Sequence, residues 1–265
     1  MSLRRNKAVF LDIDGTLISG GGDPFKEDIQ AMEEAAGKGQ LIFLNTGRSF
    51  ANIPAILLEF SFLKGIAAGG GAHILLASSP ADPRYQTIYH QWVPDDTLAK
   101  IFAWYIKQSR CCILEGERDC YVINSFPPLS MAKSPISVNS FDDFKRKSSG
   151  DLITKITLNG FAPEDECQLL EPYFTMNCFS AYSEAIIKGN DKGKAMELIL
   201  YRLGIEQEDS IAIGDSANDL DMIRYAGLGI AMGNASAELK AAAGAITGDC
   251  GKGGVAGALR KFVLQ

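Results

Sequence analysis

The sequence predicts an α/β protein: a doubly wound, mostly parallel sheet assembled from the two ends of the chain, with an α+β insert between them. Three observations predict it. Strand and helix signals alternate from Lys7 to Gly70 and again from Asp191 to Leu264, the rhythm of consecutive βαβ units. The strands in those stretches are continuous apolar runs, as expected where both faces of a parallel sheet are covered. The stretch between them shows alternating strands with helices interspersed, the pattern of an α+β unit.

In chain order, KAVFLDI (7–13) reads as a strand and PFKEDIQAMEEAAGKG (24–39) as a helix, with Pro24 near its start and glycines at its end. LIFLN (41–45) is a second strand, SFANIPAILLEF (49–60) a second helix despite Pro54, and KGIAAGG (64–70) a third buried strand. The insert holds the helices DDTLAKIFAWYIKQS (95–109) and PEDECQLLEPYF (163–174), and the strands CYVINSF (120–126), LITKITLNG (152–160) and FSAYSEAII (179–187). After it come the helix DKGKAMELILYRLG (191–204), the strand SIAIGD (210–215), the helix SANDLDMIRYAG (216–227) and the strand LGIAMGN (228–234). The helix ASAELKAAAG (235–244), the short strand AITGD (245–249) and the helix GGVAGALRKFVL (253–264) close the chain. These readings divide it into a core, 1–83 and 187–265, and an insert, 84–186.

Composition narrows the class of function. The 265 residues suffice for two modest cores, and 46% hydrophobic with 22% charged residues is ordinary for a globular protein. A net charge of −6 argues against nucleic acid or an anionic membrane as partner, while a small phosphorylated ligand needs only local positive charge. Six cysteines, Cys111, Cys112, Cys120, Cys167, Cys178 and Cys250, form no C-x-x-C pair and no secretory leader is read at the start, so reduced thiols in the cytoplasm are expected. No apolar run approaches the length of a membrane span.

Chemistry concentrates where strands end. In open parallel sheets ligands bind outside the carboxyl ends of the strands. There stand Asp12 and Asp14 after the first strand, Asn45-Thr46-Gly47-Arg48 after the second, and Gly214-Asp215-Ser216 after a later one. Residues two apart on a strand share a face, so Asp12 and Asp14 are expected side by side, repelling each other unless a cation or shared proton intervenes. Each element also has a structural reading. Thr46 or Ser49 can cap a helix, and Ser216 with Asp219 fits a capping box in which Asp replaces Glu or Gln. Lys192 and Lys194 fall in the first turn of a helix capped by Asp191, where the helix dipole disfavours cations; beside an anionic ligand, Lys192 and the helix N-terminus act together.

Asp12-Ile13-Asp14-Gly15-Thr16, Thr46-Gly47-Arg48, Lys192-Gly193 and Gly214-Asp215-Ser216-Ala217-Asn218-Asp219 resemble, in order and spacing, the four motifs of the haloacid dehalogenase (HAD) superfamily of phosphatases. The insert between the second and third motifs is similar to the cap of its Cof-type branch. The resemblance spans nearly the whole chain and implies a Rossmann-like HAD core with an inserted α+β cap that selects the substrate. It implies Asp12 as nucleophile, forming an aspartyl-phosphate, and Asp14 as general acid and then base. It implies Mg²⁺ held by Asp12, the backbone carbonyl of Asp14 and Asp215, with Asp219 orienting the metal shell. Thr46, Gly47, Lys192, Asn218 and Asn234 (in AMGNA) would bind the phosphate or substrate, a small phosphomonoester such as a sugar phosphate. The chain departs from the family at Gly70-Gly71-Ala72, where Asn-Gly-Ala is common, and at Asn45, where a small residue is usual.

Rival readings are a phosphomutase or phosphotransferase of the same superfamily, a non-enzymatic phospho-acceptor module, and an esterase using Ser216. The esterase lacks a histidine after the serine, since His73 and His90 both precede it. Two histidines and scattered cysteines supply no zinc or haem spacing, and the glycine runs at 20–22 and 69–71 lack a P-loop ending and read as turns. In the insert, Glu115, Arg118 and Asp119 surround an expected hairpin and are either substrate-selecting or solvated turn charges.

Overall fold

A computed structural model describes residues 6–79, 82–127, 131–178 and 181–265. The strands are β1 (Ala8–Leu11), β2 (Leu41–Asn45), β3 (Leu63–Ala68), β4 (His73–Ser79), β5 (Asp82–His90), β6 (Cys112–Gly116), β7 (Cys120–Ile123), β8 (Ile136–Val138), β9 (Ile153–Asn159), β10 (Phe174–Cys178), β11 (Tyr182–Ile187), β12 (Ser210–Gly214), β13 (Leu228–Ala231) and β14 (Ala245–Ile246). The helices are α1 (Lys26–Gly37), α2 (Ala55–Leu58), α3 (Asp95–Lys107), α4 (Phe141–Ser148), α5 (Glu164–Leu170), α6 (Lys192–Leu203), α7 (Leu220–Tyr225), α8 (Ala237–Ala242) and α9 (Gly254–Phe262). The chain forms two units: one takes it up to Gly47, with Leu58–Ile88 and Asp191–Gln265, and the other takes Arg48–Leu57 and Tyr89–Asn190. The division differs from the expected 1–83/187–265 and 84–186 chiefly in that Arg48–Leu57 packs with the second unit.

The first unit is built on a sheet in the order β14-β13-β12-β1-β2-β3-β4-β5. From β14 to β3 neighbouring strands run parallel, and β4 is antiparallel to β3. Val9, Phe10, Ile42, Phe43, Ile211 and Ile213 are buried, as continuous apolar strands require. The chain winds from β1 towards β3 and later from β12 towards β14. The order therefore reverses between β1 and β12, and a crevice opens at their carboxyl ends. The β3–β4 hairpin extends the sheet beyond the expected third strand. Its turn passes through Gly69, Gly70 and Gly71 at φ +61°, +63° and +96°, a left-handed path that favours glycine.

Three expected elements change. Residues 49–60 do not form one helix. A single 3₁₀ turn at Phe50–Asn52 precedes α2, because Pro54 has no N–H and holds Ile53 extended. The 163–174 helix stops at Leu170, ahead of Pro172, and Phe174 opens β10. The 216–227 helix begins as a 3₁₀ turn at Ala217–Asp219 before α7.

The second unit has a sheet in the order β10-β11-β9-β6-β7-β8, antiparallel except where β7 meets β8. Residues alternate across it. Tyr121 packs edge-to-face on Phe144 of α4 at 5.0 Å, and Phe144 meets Phe102 of α3 at 5.5 Å. Towards the other face stand Ile113 and Glu115, opposite Thr157 and Lys155 in register. Ala51, from the segment that crosses over at Arg48, packs there on Ile113, Cys120 and Val122.

Candidate active site

The site lies at the switch point, on loops leaving β1, β2 and β12 and at the start of α6. β1 ends at Leu11, so the expectation that Asp12 and Asp14 stand side by side on a strand is corrected. Backbone hydrogen bonds from Leu17 and Ile18 to the carbonyl of Ile13 fold 12–18 into a turn instead. Asp12 is buried and Asp14 exposed. The two carboxylates differ in solvation, which suits them to different roles.

Lys192 reaches Asp12 from the first turn of α6. Its ammonium, fully buried, donates to Asp12 Oδ1 at 2.6 Å and Asp219 Oδ1 at 2.5 Å, with Asn218 Oδ1 at 3.5 Å. Burial would lower the Lys192 pKa, but the charges of Asp12 and Asp219 outweigh it and hold the group protonated. This is the physical reason for a cation where a helix dipole opposes it. Asp219 serves both readings of its sequence position. Its Oδ2 accepts from the backbone N–H groups of Asp215 and Ser216 at 2.9 and 3.0 Å, closing a capping box, while its Oδ1 holds Lys192.

Asp215 faces this group from the end of β12. Gly15, at φ +81°, lets the first loop pass over it: a Cβ there would come within 2.2 Å of Asp215 Oδ2. Asn234 ties the loops together, donating to the carbonyl of Gly15 at 2.8 Å and lying 3.5 Å from Asp215 Oδ2. Thr46 is buried at the end of β2; its N–H donates to Ala67 and its carbonyl accepts from Gly70. Gly47 is buried beside it. The structure thus brings Asp12, Lys192, Asn218 and Asp219 into one cluster and links Asp215 and Asn234 to it.

One ammonium faces several carboxylates here. Burial pushes the Asp12 pKa well above its ordinary value; Lys192 opposes this, and Asp219 and Asp215 add to it. Burial likewise pushes Asp215 up to about 7, with Asp219 raising it further, Lys192 opposing, and Asp14 adding to the rise. Carboxylate oxygens of Asp12, Asp215 and Asp219 all lie within 4.8 Å of one another, and Asp215 Oδ1 is buried without a hydrogen-bond partner among the described residues. Hard oxygen donors with uncompensated charge fit a divalent metal. Asp12 and Asp215 are the better placed to hold it, because both oxygens of Asp219 already accept hydrogen bonds.

Two residues of this centre stood inside sequence motifs without a role of their own. Gly15 could have been found from its position between two loops that must approach closely. Asn45, fully buried, donates to the carbonyl of Lys192 at 2.9 Å; its signals were its place at a strand end and its departure from a small residue.

In the second unit, Glu115 is buried and not a solvated turn charge. It accepts from Ser49 at 3.1 Å, Asn52 at 3.2 Å and Thr157 at 2.5 Å, and pairs with Lys155 at 3.4 Å. Burial would raise its pKa, but Lys155 and these hydrogen bonds hold it below its ordinary value. Arg118 donates to the carbonyls of Ser148 and Ser149, and Asp119 lies 3.7 Å from Lys133. Both belong to a hairpin turn whose amides at 117–119 converge on Asp151.

A mostly parallel sheet with a switch-point cluster of aspartates and a buried lysine defines a class of α/β enzyme. The chain belongs to the haloacid dehalogenase-like hydrolases, whose family model matches residues 9–259. It is 24% identical to the phosphatase YwpJ of Bacillus subtilis (strain 168), over 91% of this chain and 94% of that one. It is also 24% identical, over the full length of both, to the 5-amino-6-(5-phospho-D-ribitylamino)uracil phosphatase YcsE of the same organism. A solved sugar phosphatase of HAD subclass IIB is 28% identical with a TM-score of 0.77, covering 97% of this chain and 99% of its own. Family membership sets aside the esterase reading of Ser216. None of the six cysteines forms a disulfide. Among the described residues no helix is long and apolar enough to cross a membrane.

Proposed function

We infer that this protein is a Mg²⁺-dependent phosphatase of small phosphomonoesters, sugar phosphates among them, working through an aspartyl-phosphate on Asp12. The observation that carries the reading is the buried contact of Lys192 with Asp12 and Asp219 beside the unpartnered oxygen of Asp215. Mg²⁺, held by Asp12 and Asp215 with the Asp14 carbonyl, would supply charge neutralisation for the phosphoryl group and relieve the repulsion among the carboxylates.

A carboxylate oxygen of Asp12 attacks phosphorus, the ester P–O bond breaks, and Asp14 gives its proton to the departing alkoxide. Water then attacks the same phosphorus while Asp14 takes the proton back, releasing phosphate and restoring the Asp12 carboxylate. Lys192 favours the ionised form of Asp12 that this attack needs. Thr46, with the Gly47 backbone, and Lys192 would hold the phosphoryl oxygens, Asn218 and Asn234 would complete the substrate side, and Asp219 would fix Lys192 and the 215–216 backbone. Catalysis of this kind is mostly positioning and charge neutralisation. The insert, 84–186, would select the substrate. Six unpaired cysteines agree with a reducing, cytoplasmic setting.

The test is phosphate release from p-nitrophenyl phosphate and a panel of sugar phosphates, with and without Mg²⁺, for wild type and Asp12→Asn. Release is expected to need both Mg²⁺ and Asp12. Turnover by Asp12→Asn would overturn the mechanism, and transfer to a sugar hydroxyl in place of water would make the enzyme a phosphomutase.

A further inference from the structure

Asn45 stands at the end of β2, immediately before Thr46, and is completely buried. Its Nδ2 donates to the main-chain carbonyl of Lys192 at 2.9 Å and approaches Met222 Sδ at 3.6 Å; its Oδ1 is buried with no hydrogen-bond partner among the described residues. A first-turn carbonyl is already the acceptor for the amide four residues on, so α6 does not require this bond to be satisfied. Burying a carboxamide with one end unpaired is unfavourable for folding alone. A small apolar residue in its place would avoid that cost.

What the bond does is join two strand-end features. Thr46 is covalently next to Asn45, and Lys192 is the residue whose carbonyl Asn45 holds. The start of α6 is located from two other sides as well. The carbonyl of Asp191 lies so close to the β3–β4 turn that a Cβ on Gly71 would meet it at 2.8 Å, and a Cβ on Gly193 would meet the carbonyl of Asp221 at 2.9 Å. The Asn45 side chain is the hydrogen-bonded member of this set.

We propose that Asn45 is a positioning residue that sets the distance between Thr46 and Lys192, and so the aim of the Lys192 ammonium at the transferring phosphoryl group. The inference rests on the phosphatase reading above. It predicts that loosening the α6 start costs transition-state binding more than stability, since misplacement by about 1 Å can lower a rate by about a hundredfold.

The experiment compares Asn45→Ala and Asn45→Leu, one small and one of similar volume, with wild type in Mg²⁺, reading kcat, KM, inhibition by orthovanadate and melting temperature. Both are expected to lower kcat/KM by about ten- to a hundredfold, mostly in kcat, and to weaken orthovanadate in parallel, with the Leu variant melting no lower than wild type. Each is then combined with Lys192→Ala. If Asn45 acts through Lys192, the double variants bind orthovanadate no more weakly than Lys192→Ala alone. A folded Asn45 variant with wild-type kcat/KM and orthovanadate inhibition overturns the inference while leaving the phosphatase reading intact, as does full additivity with Lys192→Ala. Absence of Asp12-dependent phosphate release from wild type overturns the phosphatase reading itself.

Discussion

If Asp215 holds the proposed metal, its protonation couples metal binding to pH. Its pKa stands near 7 because its carboxylate is buried among other carboxylates. A cation binds only the ionised form, so Mg²⁺ affinity is expected to fall as pH drops below 7, approaching tenfold per unit, with protons released on binding at neutral pH. Titration calorimetry in buffers of different ionisation heat measures both. Stability of the metal-free protein runs the other way. A raised acid pKa gives stability that is full below the unfolded value and lost as pH rises towards 7. Added Mg²⁺ should therefore raise the melting temperature more at pH 7.5 than at pH 5.5; an equal rise at both would show that Asp215 does not bind the ion. Gly15 belongs to the same scale. Gly15→Ala forces a Cβ against Asp215 at a positive φ, and about 1–3 kcal/mol of destabilisation is expected together with loss of Mg²⁺-dependent activity. Denaturant titration and phosphate release check the two parts.

At the scale of elements, the segment after β2 is held by a charge in another part of the chain. Ser49 and Asn52 both donate to Glu115 on β6, and Asn52 also accepts from the amide of Ala132. Lys155, buried between Glu115 and Glu184, offsets part of their negative charge. Glu115→Ala strands three donors, Ser49, Asn52 and Thr157, and leaves Lys155 paired with Glu184. Breaking a buried pair from one side costs about 3–5 kcal/mol, so a lowered unfolding midpoint in urea is expected, and an unchanged midpoint would contradict it. Pro54 and Pro172 acted at this scale too, because a missing N–H ends a helix whatever the apolar pattern around it. The apolar periodicity of 49–60 and 163–174 was legible, but those interruptions cut both helices short.

Across the whole molecule, the far end of the chain is fastened to its beginning. Asp28 on α1 is buried and accepts from the amide of Ala256 at 2.7 Å, capping α9 from 228 residues away. Asp28→Ala should cost about 0.5–2 kcal/mol, measured by thermal unfolding. No local pattern announces this contact: Asp28 reads as an ordinary first-turn acid of its own helix. The sequence by itself determined the alternation of strands and helices, the parallel core, the insert, and the candidates Asp12, Asp14, Thr46, Lys192, Asp215 and Asp219, because apolar periodicity, turn residues and motif spacing are local properties of the chain. Tertiary structure decided that Asp12 is buried while Asp14 is exposed, that Lys192 is shared by two carboxylates, that Arg48–Leu57 joins the second unit, and that Glu115 and Asn45 are buried hydrogen-bonding partners. Those facts depend on which distant groups exclude water from one another, and burial, charge pairing and pKa are fixed only when the strands have been brought side by side.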